Sequence, residues 1–364
     1  MNTLLFSIHT FECGRKLTQI QYRTIMKNIQ EDNKQYHYRC FWKNNIYFCH
    51  KYQKRGLQIQ ISKNPYQSYY QLNLTVNPQT ILHPDNLIWI YNTHTTPLSE
   101  LFVQVNAMLS FLGNHYRLEH FILKRIDCCV DIDLQNNQTV EEYIRLLKKG
   151  NKPYGYYDNQ MILKHQGKNI SKKNGIDFIN HQGIQFSAYN KYKQLLSIKL
   201  SEEIAKQAES ILRVEVKLFH KKLKEILQYN SLFFNEYVSE TMLYYFISNS
   251  KNILFHYLSK LSYKGTYYKK EQAITIIQHS NLKQKQKENC ILLLETATLH
   301  KNVRKAVESL KESYHFSNTK VNTILKQLEQ LNINPVTIAK NRKIQKLDDI
   351  FQILVENEIL FKKI

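Results

Sequence analysis

Three stretches of this chain set acidic, basic and phenolic side chains at alternating positions, the spacing that gathers them on one face of a β-strand. In residues 122–134, Ile126, Cys128, Val130 and Ile132 face one way while Asp127, Cys129, Asp131 and Asp133 face the other. In residues 184–191, Gln185, Ser187, Tyr189 and Lys191 share a face, and in residues 211–218 Arg213, Glu215 and Lys217 do. If the three pair in one antiparallel sheet, a single surface presents Asp127, Asp131, Glu215, Tyr189, Lys191, Arg213 and Arg125. Clustered carboxylates suit Mg²⁺ or Mn²⁺, hard ions that prefer oxygen ligands. A tyrosine with its ordinary pKa of about 10 is a poor nucleophile until a cation or metal favours the phenolate. The same ion would polarise a phosphodiester and stabilise the charge that develops on it. A plainer reading of the same residues stays open: Arg-Ile-Asp and Arg-Val-Glu also form ion pairs on a solvated face. Tyr189 is one of 25 tyrosines, and Tyr192, three residues on, is either a second nucleophile or a packing residue.

The elements that would hold these strands can be read around them. Tyr36–Arg39 and Ile46–His50 flank a Lys43-Asn44-Asn45 turn as a hairpin, and alternation recurs in Leu57–Ile61 and Tyr70–Val76 before Asn77-Pro78, so the first 80 residues read mainly as β structure. Ser99 caps a helix over Glu100 to about Leu112, and a Thr139/Glu142 capping box starts another over Val140–Lys149. Residues 154–183 read as a loop or ragged hairpin, and Ser201–Ser210 as a helix. Beyond about residue 220 the pattern is helical, with Val321, Ile324, Leu325, Leu328 and Leu331 as one apolar stripe. The expected fold is α+β: a central antiparallel sheet with flanking helices over residues 1–229, then a helical domain over 230–364 for DNA recognition or dimerisation. The lysine-rich stretches at Lys283, Lys285 and Lys287 and at Lys340, Arg342, Lys343 and Lys346 could track phosphates there or simply be a solvated surface.

Composition narrows the partners. Lys and Arg number 51 against 30 Asp and Glu, a formal net charge of +21, and residues 231–364 hold 20 of the basic and 12 of the acidic residues, so no basic tail accounts for the excess. Such charge suits a polyanion, whose phosphates release counterions on contact with Lys and Arg. No apolar run approaches the roughly 18 residues of a membrane span and no cleavable signal opens the chain, so no membrane partner and a cytoplasmic location are expected. Six cysteines without C-x-x-C or Cys/His spacing read as reduced thiols.

The order Asn-Leu-Thr-Val-Asn-Pro (73–78), Lys-Arg-Ile-Asp-Cys-Cys-Val-Asp (124–131), Phe-Ser-Ala-Tyr-Asn-Lys-Tyr-Lys-Gln (186–194) and Leu-Arg-Val-Glu-Val-Lys-Leu (212–218) resembles plasmid rolling-circle replication initiators of the Rep_trans family and, more distantly, filamentous-phage gene II-type initiators. The resemblance spans roughly residues 70–220. It implies that Tyr189 is the nucleophile, attacking an origin phosphodiester to form a 5′-phosphotyrosine. It further implies Asp127 and Glu215 as metal ligands, with Asp131 and Asn77 as additional candidates. Charge suggests that Arg125, Lys191 and Arg213 hold phosphates or steady the phenolate. The chain has no His-x-His metal motif, and residues 154–183 offer no clear counterpart of the family's strand before the tyrosine; His37, His83 and His115 are candidate extra ligands. Origin DNA, single-stranded or cruciform at the nick, is the expected partner, with a homodimer as the acting form and a host helicase and polymerase beside it. Two rivals remain. A conjugative relaxase would do the same chemistry, and a non-catalytic binding protein would stack bases on Tyr36, Tyr38 and Tyr70.

Overall fold

The computed structural model describes residues 4–63, 69–150, 155–158, 164–165, 168–169, 174–229 and 236–359. In chain order the elements are β1 (Phe6–Leu17), α1 (Gln19–Tyr36), β2 (Cys40–Lys43), β3 (Ile46–Cys49), β4 (Leu57–Lys63), β5 (Tyr70–Val76), α2 (Pro78–Leu82), α3 (Leu98–Leu109), β6 (Ile122–Asp133) and α4 (Asn137–Lys149). There follow β7 (Tyr156–Asp158), a small pair β8 (Lys164–His165) and β9 (Lys168–Asn169), β10 (Gly175–Asn180), β11 (Ile184–Asn190), α5 (Lys191–Ser197), α6 (Glu202–Lys206), β12 (Ile211–Phe219) and α7 (His220–Tyr229). The C-terminal region is mainly helical: α8 (Glu240–Leu261), α9 (Lys270–Gln278), α10 (Gln284–His300), α11 (Val303–Tyr314), α12 (Asn318–Gln330) and α13 (Ile350–Ile359), with a short pair β13 (Tyr267–Tyr268) and β14 (Lys346–Leu347). Ten strands form one antiparallel sheet in the order β2-β3-β4-β5-β1-β6-β12-β11-β10-β7. The fold is therefore α+β, as the sequence led one to expect.

Local chemistry explains several of these elements. Asn44 and Asn45 take φ of 50° and 61°, so two asparagines supply the left-handed turn that a two-residue hairpin needs. Thr18 and Gln21 form a capping box for α1, and Asn77 caps α2 with Pro78 in its first turn. One face of the sheet is apolar throughout. Ile126, Cys128, Val130, Val214, Val216, Phe186 and Leu74 are buried there, and α8 lies across it with Phe255 against Phe6 at 6.3 Å. Burying that many large side chains, each contributing on the order of 1.5–3 kcal/mol, is what holds the sheet against its helices.

Several expectations move by a few residues or change type. Tyr36 ends helix α1 instead of opening a strand, so the hairpin begins at Cys40. Helix α4 starts at Asn137 on the cap of Asn136, whose side chain accepts from Thr139 N; Thr139 is inside the helix. Helix α3 begins at Leu98 after Pro97 with no side-chain cap. The segment read as a loop holds β10, which pairs with β11, while residues 154, 159–163, 166–167 and 170–173 lie outside the described residues. Of the helix expected over 201–210, only α6 is helical. All six cysteines are unpaired and five are buried. Among the described residues no helix is long and apolar enough to cross a membrane.

Candidate active site

The three polar-faced strands do lie side by side, and their register sets which charge meets which. Tyr189 pairs with Arg213 and Arg213 with Asp131; Ser187 pairs with Glu215 and Glu215 with Cys129; Lys217 pairs with Asp127. Tyr189 donates its hydroxyl to Glu215 Oε1 at 2.7 Å. Glu215 is almost fully buried, which opposes its ionisation, yet His9, Lys217 and Arg213 override burial and hold its carboxyl well below the usual carboxylate range. Burial and the neighbouring Glu215 push the Tyr189 phenol well above its ordinary value. The phenol thus stays protonated at neutral pH and hydrogen-bonded to an ionised acceptor; Arg213 favours the phenolate, as the sequence led one to expect, but too weakly to offset burial and Glu215, and a carboxylate held this low is a weak base.

His9 completes the group, and no motif or spacing in the sequence singles it out. Its Nδ1 lies 3.0 Å from Glu215 Oε1, and burial lowers the imidazole pKa despite Glu215, with Arg213 and Lys191 adding to the effect. A neutral ring facing a carboxylate carries its proton on Nδ1 and donates it. The register of β1 against β6 slips between Ile8 and Thr10, so His9 is the extra residue of a β-bulge. Bulges re-aim a side chain in this way. Opposite Tyr189 on β10 stands Gly175, where a Cβ would come within 2.7 Å of Tyr189 Cβ and 2.5 Å of Ala188 O. Only glycine lets β10 approach the tyrosine strand so closely.

The basic residues are tied more tightly than their sequence positions suggest. Arg213 is 0% exposed and grips Asp131 with Nε and Nη2, both at 2.6 Å, while Nη2 also donates to Ile88 O at 2.7 Å; its Nη1 has no hydrogen-bond partner among the described residues. Arg125 holds Asp127 with two donors at 2.8 and 3.2 Å and reaches Glu12 at 2.5 Å. The Arg-Ile-Asp pair read from the sequence forms, with Asp127 buried rather than solvated, whereas the Arg-Val-Glu pair does not: Arg213 goes to Asp131 and Glu215 to His9 and Lys217. Fully buried, Arg213 is a positioning residue with no path to a DNA phosphate. Lys191 opens helix α5 instead of ending the strand; its ammonium donates to Gln194 Oε1 at 3.0 Å. Tyr192 packs on the small cluster of Ile88, Leu195, Ala205, Ala208 and Ile211.

Of the four metal ligands expected from the sequence, the structure brings Asp127 and Glu215 together and leaves Asp131 and Asn77 apart. Asp127 Oδ2 and Glu215 Oε2 converge on one cation, the Lys217 ammonium, at 3.7 and 3.8 Å. A divalent ion could take those oxygens in its stead, completed by water and substrate oxygens as Mg²⁺ commonly is. Asp131 is occupied by Arg213, and Asn77 Oδ1 accepts from Thr80 N in its cap; neither joins the group. Among the described residues no three His, Cys, Asp or Glu side chains gather at metal-holding distance. His37 caps the C-terminus of α1, His83 bonds Thr96 and His115 lies on Tyr116; among the described residues none of them is bonded to Tyr189. Comparison with protein-family models, curated proteins and solved structures finds no match to this chain.

Lys191 offers a test of this electrostatics. Burial, with Arg213 close by, lowers its pKa to about 7, against an ordinary value near 10.5. Between those values the unfolded chain binds the proton that the folded chain gives up, so stability rises with pH across that window; the cost of burying the ammonium is full below about 7 and gone above about 10.5. Lys191→Met should therefore be more stable relative to wild type at pH 6 than at pH 9 by denaturant titration. An equal difference at both pH values would refute the assignment.

Proposed function

We propose that this chain is a DNA strand-nicking and strand-transferring enzyme whose nucleophile is Tyr189, acting as an initiator of rolling-circle replication. The observation that carries the reading is the 2.7 Å hydrogen bond from the Tyr189 hydroxyl to an ionised Glu215 on an antiparallel sheet. The motif order that resembles Rep_trans initiators supports it, as does the net charge of +21, which suits a polyanionic substrate.

In the proposed step the Tyr189 oxygen bonds to the scissile phosphorus as Glu215 takes the phenolic proton. The bond from phosphorus to the 3′ oxygen breaks, that oxygen leaves with a proton from water, and the 5′ phosphate stays on tyrosine. His9 steadies the carboxylate that receives the proton. Lys217, one-fifth exposed, and Arg125 bring positive charge to the same face. A Mg²⁺ or Mn²⁺ ion held by Asp127 and Glu215 would supply charge against the phosphoryl oxygens. Supercoiled DNA bearing the replicon's own origin, incubated with the protein and Mn²⁺, is expected to yield nicked circles and a detergent-resistant protein–DNA adduct, and neither with EDTA. Binding of the origin without any adduct would remove the enzymatic reading.

A further inference from the structure

The polar face that carries Tyr189 continues across the sheet to its opposite edge. Register links Glu12 to Thr75 and Thr75 to Gln58, and in the next row Gly14 to Asn73, Asn73 to Gln60, Gln60 to Phe48 and Phe48 to Phe41. At that far edge Phe41 and Phe48 lie stacked, with centroids 5.1 Å apart and planes 12° from parallel. The Arg39 guanidinium sits 4.6 Å from the Phe41 centroid, and the His50 ring meets Phe41 edge-on at 5.1 Å. Both phenylalanines are only half-buried, and with Arg39, His50, Gln58 and Gln60 they line a groove of about 500 Å³. The charge of this region is one-sided: between Asp32 and Asp85 the chain has no acidic residue and seven Lys or Arg.

We infer that this edge of the sheet is a binding platform for single-stranded DNA, on which bases stack against Phe41 and Phe48 while Arg39 and its basic neighbours meet the phosphates. Stacked aromatics with a cation over them, set in a positive groove with neutral amides beside it, recognise a nucleic-acid base by its π face, a feature every base offers. The shape of the sheet selects a single strand. Phe48 and Tyr189 stand six strands apart in the sheet order, roughly 29 Å at the usual spacing of about 4.8 Å, and a twist of about 20–25° per strand turns the face between them. A flexible strand follows that curve, whereas duplex DNA is stiff over about 150 base pairs. The platform rests on the nicking reading only for what the far end of the strand meets.

The test is fluorescence anisotropy of the full chain with a labelled single-stranded oligonucleotide in EDTA, so that binding is read without any cleavage and a failure of the nicking chemistry leaves the result intact. Phe41→Ala/Phe48→Ala is expected to bind roughly tenfold more weakly or worse, with little change toward an abasic strand of equal length. Phe41→Leu/Phe48→Leu, which keeps the apolar bulk and removes the rings, should show the same loss, and a melting curve near wild type confirms that it is folded. Unchanged affinity in the folded leucine variant overturns the platform, and so does tighter binding of duplex than of single strand. Preference for RNA of the same sequence overturns the choice of DNA.

Discussion

Tyr189→Phe should lose the covalent adduct entirely and nick origin DNA at least ~10³-fold more slowly, since a missing nucleophile is among the costliest single changes in a covalent mechanism. The substitution removes one oxygen. The ring keeps its place between Gly175 and Arg213, and Glu215 keeps His9 and Lys217, so the variant should fold and bind origin DNA like wild type. Scoring adduct by denaturing gel and nicking by topoisomer shift separates loss of chemistry from loss of binding. Tyr192→Phe is the paired measurement. Its ring packs against the cluster around Leu195, so that variant should retain the adduct. If instead Tyr189→Phe nicks normally and Tyr192→Phe does not, the nucleophile is misassigned and the Tyr189–Glu215 bond is structural.

Asp131→Ala should destabilise the folded protein by about 3–5 kcal/mol, because it leaves the Arg213 guanidinium fully buried with Ile88 O as its remaining partner. Denaturant titration at neutral pH reads this directly. The double variant Asp131→Leu/Arg213→Met, which removes both charges and keeps the volume apolar, should recover most of the loss, since a buried ion pair is worth little against a well-packed hydrophobic substitute. A cost below about 1 kcal/mol for the single change would mean that water reaches Arg213 and that the pair is not sealed. The pair has a consequence for the site as well. Arg213 stands opposite Tyr189 in the register, so loosening it moves the strand that aims the phenol and should lower activity beyond what the unfolded fraction explains.

Much of the candidate site is legible in the amino-acid sequence. The strands around Asp127, Tyr189 and Glu215 are bounded within one residue of their expected ends, because alternation of apolar and polar side chains is a local signal that survives whatever the strand pairs with. The Asn44-Asn45 turn is equally local. Strand β1 is not legible. It lies between β5 and β6 at the centre of the sheet, yet its register slips at His9 and again beyond Glu12, and each slip breaks the period of two by which a strand is recognised. Helix α1 escapes for a related reason: its buried residues are only Ile25 and Ile29, too sparse a stripe to show a helical period.

The sequence by itself determined that Asp127 and Asp131 share one side of their strand, as do Ser187 and Tyr189 on theirs and Arg213, Glu215 and Lys217 on theirs, since side-chain direction along a strand follows from backbone geometry alone. Only the tertiary structure decided what each of them does there. Asp127 and Asp131 look alike in the chain, but pairing of β6 with β12 gives Asp131 to the buried Arg213 and sets Lys217 against Asp127, while a bulge in the first strand of the chain brings His9 to Glu215. Charges find their partners by register across strands, and register is settled by the packing of the whole apolar face, which no local pattern contains.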